Sequence, residues 1–310
     1  MYVKSQIAGS PDAPQGMHVL YADREDAYRI SYVRDVPYCV RNGRALKMQL
    51  LFPEMPAGVA PGAPFGNPDM KRPLVVYVQG SAWKKQDCYV SLPNLVDLAR
   101  AGFVVASVEY RPSSEAPWPG FLVDVKAAIR YLKANSAKFG IDKNRVGIWG
   151  DSSGGHTALM VGATGGVKEF DDHICPEESS AVNAVCSFYG LSDISRINDA
   201  PRDPLFVNAP ADSIPENMLF RGDCAKNPEL TAPGNPMNYI SAERPCPPFL
   251  LFHGDEDAMV PFLQSELMYE KLRECGKNVE LYKVKGADHG ARLWTREVLD
   301  IVTKFFKCYV

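Results

Sequence analysis

One serine in this chain has the neighbours that a catalytic nucleophile needs. The motif GDSSGG occupies 150–155, between the apolar run VGIW and the stretch HTALMV, which favours a helix. The pattern G-x-S-x-G between a strand and a helix is typical of a nucleophile elbow, where small flanking residues let the serine occupy a strained turn. Only Ser152 has glycine two residues away on both sides, so it is the predicted nucleophile. A glycine- and serine-rich turn that only caps the helix is the alternative interpretation.

The candidate general base is His289, in the segment GADHG at 286–290 that follows the run VELYKV. Glycines on both sides give this turn the freedom to bring the imidazole to the serine. Of the five histidines, it alone follows a late strand in a turn bracketed by glycines. Its predicted role is to take the Ser152 proton and later to protonate the leaving group. A chymotrypsin-like site is excluded, because its histidine and aspartate precede the serine, whereas only His18 precedes Ser152 here.

The candidate acid lies in HGDEDAMVP at 253–261, directly after the apolar run PFLLF. Loops at the carboxyl ends of parallel strands are where open α/β sheets place their sites. Asp257 is favoured because it precedes the Val-Pro turn, while Asp255 is the second choice and Glu256 is predicted to be solvated. His253 is interpreted as structural.

Backbone N–H groups must bind the negative charge that such a reaction develops on the carbonyl oxygen. One predicted donor is the N–H of Ser153, the residue after the nucleophile. The others are predicted at Ser81 and Ala82, in the loop QGSAW at 79–83 that follows the run LVVYV. Serine and alanine can present these groups if their φ angles stay negative. The amide of Gln79 is expected to brace the loop through hydrogen bonds.

Short apolar runs alternate with helical stripes along most of the chain. This alternation predicts an α/β fold in a single domain, 1–310, with a mostly parallel central sheet and helices on both faces. The predicted strands are 45–52, 74–78, 103–108, 146–149, 181–188, 248–252 and 279–284. The predicted helices are 92–100, 121–139, one from the elbow to 161, 264–275 and 293–306.

Three segments depart from the alternation. Residues 1 to about 40 are polar and irregular, and 53–73 is rich in proline and glycine, which predicts a long exposed loop. The segment 195–239 is rich in proline, asparagine and aspartate. A long irregular insertion in a compact domain is a lid, a binding loop or a disordered segment. Its main apolar residues are Phe206, Met218 and Leu219. They are too sparse for an amphipathic helical cap, so we predict a lid or rim insertion that only partly covers the site.

Composition narrows the classes of partner. A net charge of −3 gives no basic surface for nucleic acid and no polybasic run for anionic lipid. No apolar stretch reaches the ~18–20 residues of a membrane span, and the N-terminus has no signal-peptide core, which predicts a cytoplasmic protein without a membrane partner. The eight cysteines form no C-x-x-C motif, so reduced packing thiols are expected. Neither a metal nor a cofactor is predicted, and the oligomeric state is left open.

From about residue 40 to its C-terminus, the chain resembles the esterase/lipase branch of the α/β-hydrolase fold. The resemblance is to the bacterial acetyl and feruloyl esterases related to hormone-sensitive lipase. Proteins of that group carry H-G-G-x-W, Y-R followed by P-x-P, G-D-S-A-G-G-H, H-G-x-x-D-x-x-V-P and G-x-x-H-G. This chain has QGSAW, Tyr110-Arg111 followed by Pro117-Trp-Pro119, GDSSGGH, and then the Asp257 and His289 loops, in the same order.

Two residue changes in the first motif depart from that group. Gln79 stands where histidine is usual, and in the pair Ser81-Ala82 the serine stands where glycine is usual and the alanine fills the variable position. Trp83 occupies the position of the motif's tryptophan and is the candidate substrate-binding residue, with buried aromatic packing as the alternative interpretation.

The resemblance implies a serine carboxylic ester hydrolase that forms an acyl-enzyme. The implied substrates are small-molecule or oligosaccharide esters, with acetyl or other short or aromatic acyl groups on carbohydrates. An amide-cleaving hydrolase of the same fold, such as an arylformamidase or a peptidase, is the alternative. A non-catalytic binding module is a third interpretation, against which the presence of all three triad residues argues.

Overall fold

A central eight-stranded sheet organises the chain in the computed structural model, which describes residues 30–53 and 71–310. The strand order across the sheet is β1-β2-β4-β3-β5-β6-β7-β8. The pairs β1–β2 and β2–β4 are antiparallel, and all the other pairs are parallel. The strands are β1 (Ile30–Arg41), β2 (Arg44–Pro53), β3 (Arg72–Val78), β4 (Val104–Val108), β5 (Ile141–Asp151), β6 (Ala184–Phe188), β7 (Phe249–Gly254) and β8 (Val279–Val284).

Helices cover both faces of this sheet. In the described ranges they are α1 (Leu92–Arg100), α2 (Gly120–Ala134), α3 (Ser136–Phe139), α4 (Ser153–Ala163), α5 (Pro204–Val207), α6 (Pro215–Phe220), α7 (Pro228–Thr231), α8 (Leu263–Glu274) and α9 (Arg296–Tyr309). Helices α1 and α9 pack in one hydrophobic cluster with one face of the sheet. Helices α2, α4 and α8 pack in a second cluster with the other face. Strands β4 and β6 are buried throughout, as expected where helices cover a parallel sheet on both sides.

The predicted α/β-hydrolase sheet is present, and its site lies at the carboxyl ends of the central parallel strands. The turn after β5 carries Ser152, the loop after β7 carries Asp257, and the loop after β8 carries His289. Because parallel strands end at one edge of the sheet, three segments far apart in sequence meet there.

The prediction that the chain is irregular up to about residue 40 is wrong for its last part, because β1 begins at Ile30. Two features hide this strand in the sequence. Its pairing with β2 shifts register between Val33 and Val36 and again near Pro37, and Asp35 has a φ of 57°. Bulges disrupt the alternation of buried and exposed residues, and an edge strand tolerates the proline.

Two other predicted boundaries differ from the observed ones. The helix predicted over 121–139 is interrupted at Asn135, and α3 follows as a separate short turn. Of the Pro/Gly-rich segment 53–73, Pro53 ends β2, and Arg72 begins β3. The rest of that segment, 54–70, lies outside the described residues, as do 1–29 with His18.

The rim insertion, 195–239, folds as a series of short helical turns. Its longest helix is α6, with six residues. Leu219 and Phe220 of α6 are buried in the cluster that contains α2 and α4, and Phe220 stacks on Trp118 with ring centroids 5.7 Å apart. The backbone N–H of Trp118 also donates to the carbonyl of Leu219 at 3.0 Å. The insertion is therefore anchored on the helical face beside α4.

Candidate active site

The turn between β5 and α4 holds Ser152 in a strained conformation. Its φ is 53° and its ψ is −124°, a region that residues other than glycine rarely adopt. Flanking glycines make the turn possible: a Cβ on Gly154 would lie 1.9 Å from the carbonyl oxygen of Val78, and one on Gly150 would lie 2.2 Å from that of Gly154. The motif therefore forms the elbow that its spacing predicts.

Two hydrogen bonds join Ser152, His289 and Asp257. The Nε2 atom of His289 lies 2.9 Å from the Oγ atom of Ser152, and its Nδ1 atom lies 2.6 Å from Oδ2 of Asp257. Because an ionised carboxylate only accepts hydrogen bonds, Nδ1 carries the proton, and Nε2 is left to accept the serine proton. The structure thus brings the three predicted triad residues together in the order nucleophile, base, acid.

Asp257 is held as a carboxylate by its surroundings. Its Oδ1 atom accepts the backbone N–H groups of Met259 and Val260, both at 2.9 Å. Burial alone would raise the pKa of this group, but hydrogen bonds from His253 and His289 hold its pKa below the ordinary value. Asp257 therefore remains charged at neutral pH and can stabilise a protonated His289.

His253 supports the acid without reaching the nucleophile. Its Nε2–H donates to the carbonyl of Val260 at 2.8 Å and lies 3.2 Å from Oδ2 of Asp257. Its Nδ1 atom bonds to the hydroxyl of Ser265 at 2.7 Å, and the side chain is fully buried. These contacts match the structural interpretation of His253, and they tie the acid loop to β7 and α8.

The other two carboxylates of the acid loop point elsewhere. Asp255 accepts the backbone N–H of Gly286 at 2.7 Å and pairs with Lys285 at 3.1 Å. Glu256 is exposed and lies 3.8 Å from Arg292. Neither carboxylate contacts the His289 ring, so the geometry favours Asp257 over Asp255 as the triad acid.

The predicted oxyanion donors divide into two kinds. The N–H of Ser81 is already engaged, because it donates to the side-chain hydroxyl of Ser153 at 2.9 Å. The backbone N–H groups of Ala82 and Ser153 have no hydrogen-bond acceptor among the described residues. These two are therefore the groups available to a developing oxyanion. The expectation that the N–H of Ala82 acts as a donor depends on a negative φ angle there, but the φ of Ala82 is 52°.

The bracing of this loop differs from the expectation for Gln79. Its Oε1 atom is buried without a hydrogen-bond partner in the described part of the chain. Asp151 instead accepts the N–H of Gly80 at 2.9 Å and the hydroxyl of Tyr77 at 2.5 Å. The Oε1 atom of Gln79 thus does not brace the loop, whereas the residues on either side of Ser152 do so. The sequence signal for Asp151 was its place inside the GDSSGG motif.

Trp83 lies in the core of the protein. It is 2% exposed, and its ring lies 5.4 Å from that of His156 and 6.3 Å from that of Phe121. The structure therefore places Trp83 in buried packing, the second of its two interpretations, instead of on a surface that a substrate reaches. His156 is also fully buried, and its Nε2–H donates to the carbonyl of Gly234 in the insertion at 2.7 Å.

Tyr189 is a site residue that no sequence motif indicated. It follows β6 directly, has a φ of 38°, and its ring centroid lies 4.4 Å from that of His289. Its hydroxyl accepts the indole N–H of Trp294 at 3.1 Å, and burial raises the pKa of this phenol. The phenol therefore stays neutral and acts as a fixed wall against the imidazole ring.

Three further features concern metal binding, membrane spanning and disulfide bonding. In the part of the chain that the structure describes, no group of three or more His, Cys, Asp or Glu side chains could hold a metal ion. No helix there combines the length and apolar character needed to cross a bilayer. All eight cysteines lie in the described ranges, and none forms a disulfide.

Comparisons with known proteins find a family model and several esterases similar to this chain. The family model BD-FAE matches residues 66–272. Esterase LipC of Mycobacterium tuberculosis is 29% identical over 72% of this chain and 54% of its own length. Esterase LipQ of the same organism is 28% identical over 77% of this chain and 56% of its own. The chain thus spans about half the length of these curated relatives.

Solved structures share the fold. A truncated carbohydrate esterase from gut microbiota superposes with a TM-score of 0.76 at 28% identity, over 89% of this chain and 95% of that one. A bifunctional GH43-CE protein of Bacteroides eggerthii has a TM-score of 0.76 at 30% identity, over 89% of this chain and 35% of its own. Esterase 2 of Thermogutta terrifontis, with butyrate bound, has a TM-score of 0.68 at 22% identity, over 87% and 91% of the two chains. At that identity the last likeness concerns the fold alone.

Proposed function

This chain belongs to the BD-FAE family of hormone-sensitive-lipase-like α/β-hydrolases, and from that premise we propose that it is a serine carboxylic ester hydrolase. Ser152 is the nucleophile, His289 the general base and acid, and Asp257 the group that orients and stabilises the imidazole. The observation that carries the proposal is the hydrogen-bonded series from Ser152 Oγ to His289 Nε2, at 2.9 Å, and from Nδ1 to Asp257 Oδ2, at 2.6 Å.

The acylation step follows from these contacts. Ser152 Oγ attacks the ester carbonyl carbon while its proton passes to Nε2 of His289, and the carbonyl π electrons move to oxygen. The N–H groups of Ala82 and Ser153 bind the resulting oxyanion, and one such donor is worth ~3–4 kcal/mol in the transition state. Collapse of the intermediate expels the alkoxide, which takes the proton from His289. The acyl group remains bonded to Ser152.

Deacylation repeats the step with water as the nucleophile. His289 accepts a proton from water as the hydroxyl oxygen attacks the acyl carbon, and then returns it to Ser152 as the carboxylic acid leaves. Asp257 keeps its charge throughout, because the buried carboxylate is stabilised by two backbone N–H groups and two histidines. The cycle consumes one ester and one water and releases one alcohol and one acid.

The proposed substrates are acetyl and other short acyl esters of oligosaccharides. A solved structure similar to this chain is named a carbohydrate esterase, and another is named a bifunctional GH43-CE protein, which supports a carbohydrate as the alcohol. The insertion supports a short acyl group, since its longest helix has six residues and does not form an amphipathic cap over a long chain. The alternative to ester hydrolysis is the hydrolysis of an amide by the same triad.

One substrate panel tests both parts of the proposal. It contains p-nitrophenyl esters of rising chain length, acetylated xylo- and manno-oligosaccharides, methyl ferulate and N-formylkynurenine, with Ser152→Ala as the blank. We expect fast cleavage of acetyl esters and poor cleavage beyond about eight carbons. A preference for long chains would contradict the short-acyl proposal. A dominant rate on N-formylkynurenine would reassign the enzyme to amide hydrolysis.

A further inference from the structure

The turn that carries the oxyanion donor Ala82 is strained. It runs from Ser81 to Lys84 and is closed by a hydrogen bond from the N–H of Lys84 to the carbonyl of Ser81, at 2.9 Å. Its two central residues both have positive φ angles, 52° at Ala82 and 54° at Trp83. Positive φ at both positions is typical of a type I′ turn, which favours glycine, asparagine and aspartate. An alanine and a tryptophan keep this conformation only because their surroundings fix it.

Packing in the core fixes one side of the turn. The indole of Trp83 is buried against the rings of His156 and Phe121. The carbonyl of Trp83 also accepts the N–H of Ser113 at 2.7 Å. These contacts anchor the residue that follows Ala82, so the residue that precedes it, Ser81, must be held by other groups.

Three hydroxyl groups hold the other side of the turn. Oγ of Ser81 lies 2.8 Å from the carbonyl oxygen of Lys84 and 3.0 Å from the hydroxyl of Tyr110. The N–H of Ser81 donates to Oγ of Ser153 at 2.9 Å, and that oxygen lies 3.5 Å from the Tyr110 hydroxyl. Ser81 stands at a glycine of the motif H-G-G-x-W, and Ser153 stands at the alanine of G-D-S-A-G-G-H. The cluster therefore depends on two serines that these motifs lack.

The direction of the hydrogen bonds in this cluster follows by elimination. A carbonyl oxygen only accepts, so the Ser81 hydroxyl uses its one proton on Lys84. Tyr110 is then the donor to Ser81, and its oxygen is left to accept from Ser153 across the longer contact of 3.5 Å. Burial raises the pKa of Tyr110, so the phenol keeps the proton that it donates. The Tyr110 hydroxyl thus links the two serines.

We propose that Tyr110 is a positioning residue for the oxyanion donors. Its hydroxyl donates to Ser81 and so holds the strained turn in the conformation that presents the N–H of Ala82 to the oxyanion. Tyr110 is fully buried and does not itself touch the substrate. The inference rests on the proposed esterase function and adds to it a residue that acts on the transition state through Ser81.

The test combines two single variants with their double variant. Tyr110→Phe removes the hydroxyl and keeps the ring, whose centroid lies 6.0 Å from that of Phe121. Ser81→Ala removes the acceptor of that hydroxyl and keeps the backbone N–H. Tyr38→Phe is the matched control, because it also removes a buried tyrosine hydroxyl. That hydroxyl donates to the carbonyl of Glu109 at 2.6 Å and bonds to neither serine.

Each protein is assayed for kcat and KM on p-nitrophenyl acetate and for the inhibition constant of 1,1,1-trifluoroacetone. This ketone adds to the nucleophilic serine and forms a tetrahedral oxyanion, so its affinity reports on the oxyanion donors. Thermal melting identifies any variant that fails to fold. If Tyr110→Phe does not fold, Ser81→Ala alone tests the same hydrogen bond.

We expect kcat to fall roughly five- to fiftyfold in Tyr110→Phe and in Ser81→Ala, with KM within about twofold of the wild type, because a displaced donor is lost mainly in the transition state. The inhibition constant should rise by a similar factor. The double variant should stay within about twofold of the slower single variant, because both substitutions break the same bond. Tyr38→Phe should keep kcat within about twofold of the wild type.

Losses that multiply in the double variant, a loss through KM alone, or a wild-type kcat in Tyr110→Phe would overturn the role of Tyr110. An equal loss in Tyr38→Phe would overturn it too. Each of these results leaves the esterase proposal standing, because the wild type still cleaves the ester. A wild type that neither cleaves p-nitrophenyl acetate nor binds the ketone refutes the esterase proposal and the role of Tyr110 together.

Discussion

Among single residues, the two aspartates of the acid loop differ most clearly in their expected effect. Asp257 contacts His289 at 2.6 Å, whereas Asp255 bonds to the turn at Gly286. Asp257→Asn should lower kcat by roughly 10⁴-fold, because an amide favours the wrong imidazole tautomer. Asp255→Asn should change kcat less than about tenfold. Steady-state kinetics on p-nitrophenyl acetate measures both, and a reversed ranking would make Asp255 the triad acid.

The hydroxyl of Ser153 has a smaller predicted effect. It accepts the N–H of Ser81 and so positions the loop that carries Ala82. Ser153→Ala removes one hydrogen bond worth about 0.5–1.5 kcal/mol, which corresponds to roughly two- to tenfold in kcat with little change in KM. Ser187→Ala is the control, because this buried hydroxyl has no partner in the described ranges. An unchanged or higher kcat in Ser153→Ala would show that the hydrogen bond between Ser81 and Ser153 does not position the oxyanion donors.

Sequence reasoning found residues that belong to a motif and missed those that act through packing. Ser152, Asp257 and His289 stand out by glycine spacing and by their place after apolar runs. Tyr189 has no such pattern, since only the chain reversal after β6 brings its ring to His289. The bracing role assigned to Gln79 failed for a related reason: whether an amide finds partners depends on neighbours from other strands.

At the scale of elements, the rim insertion and the acid loop act as one unit. Arg202 links them through Met259, whose own N–H holds Asp257. Arg202→Met should lower kcat on p-nitrophenyl acetate by roughly ten- to hundredfold, because small displacements of catalytic groups are costly.

The matched control for Arg202 is Arg196→Met. Arg196 lies in the same insertion but makes an exposed ion pair with Asp199, and such pairs contribute little. The kcat and KM of Arg196→Met should stay close to those of the wild type. An unchanged kcat in Arg202→Met, or an equal loss in Arg196→Met, would contradict the positioning role of Arg202.

The elements themselves were predictable in proportion to their regularity. The central parallel strands read as continuous apolar runs because helices bury both faces, and α1 was predicted with its observed bounds. The bulged edge strand β1 and the break at Asn135 were missed, because the sequence pattern is irregular at both places. In β1 the pairing with β2 persists although the alternation of buried and exposed residues does not. The short helices of the insertion could not be placed, because none is long enough to show a helical period.

For the molecule as a whole, the buried contact between α4 and the insertion predicts a pH-dependent stability. Burial lowers the pKa of His156 to about 4, from 6.5. Between these values the unfolded chain binds more protons than the folded chain. The contribution of His156 is therefore complete above about pH 6.5 and is lost progressively as the pH falls towards 4. Between pH 7 and pH 5 the free energy of unfolding should fall by about 2 kcal/mol through this residue.

Urea denaturation at pH 7 and pH 5 measures this difference. His156→Gln cannot titrate and can still donate to Gly234, so its pH-dependent loss should be about 2 kcal/mol smaller than that of the wild type. His173→Gln, at an exposed position, should retain the wild-type loss. Equal losses in all three proteins would show that protonation of His156 is not linked to unfolding.

The central claim is that Ser152 is an activated nucleophile, and covalent labelling tests it most directly. A fluorophosphonate reacts only with an activated serine, and mass spectrometry of the digested protein identifies the modified residue. The account predicts one label, on Ser152, in the wild type and none in Ser152→Ala or in His289→Ala. A label on Ser153, a label that persists in Ser152→Ala, or an unlabelled wild type would contradict it.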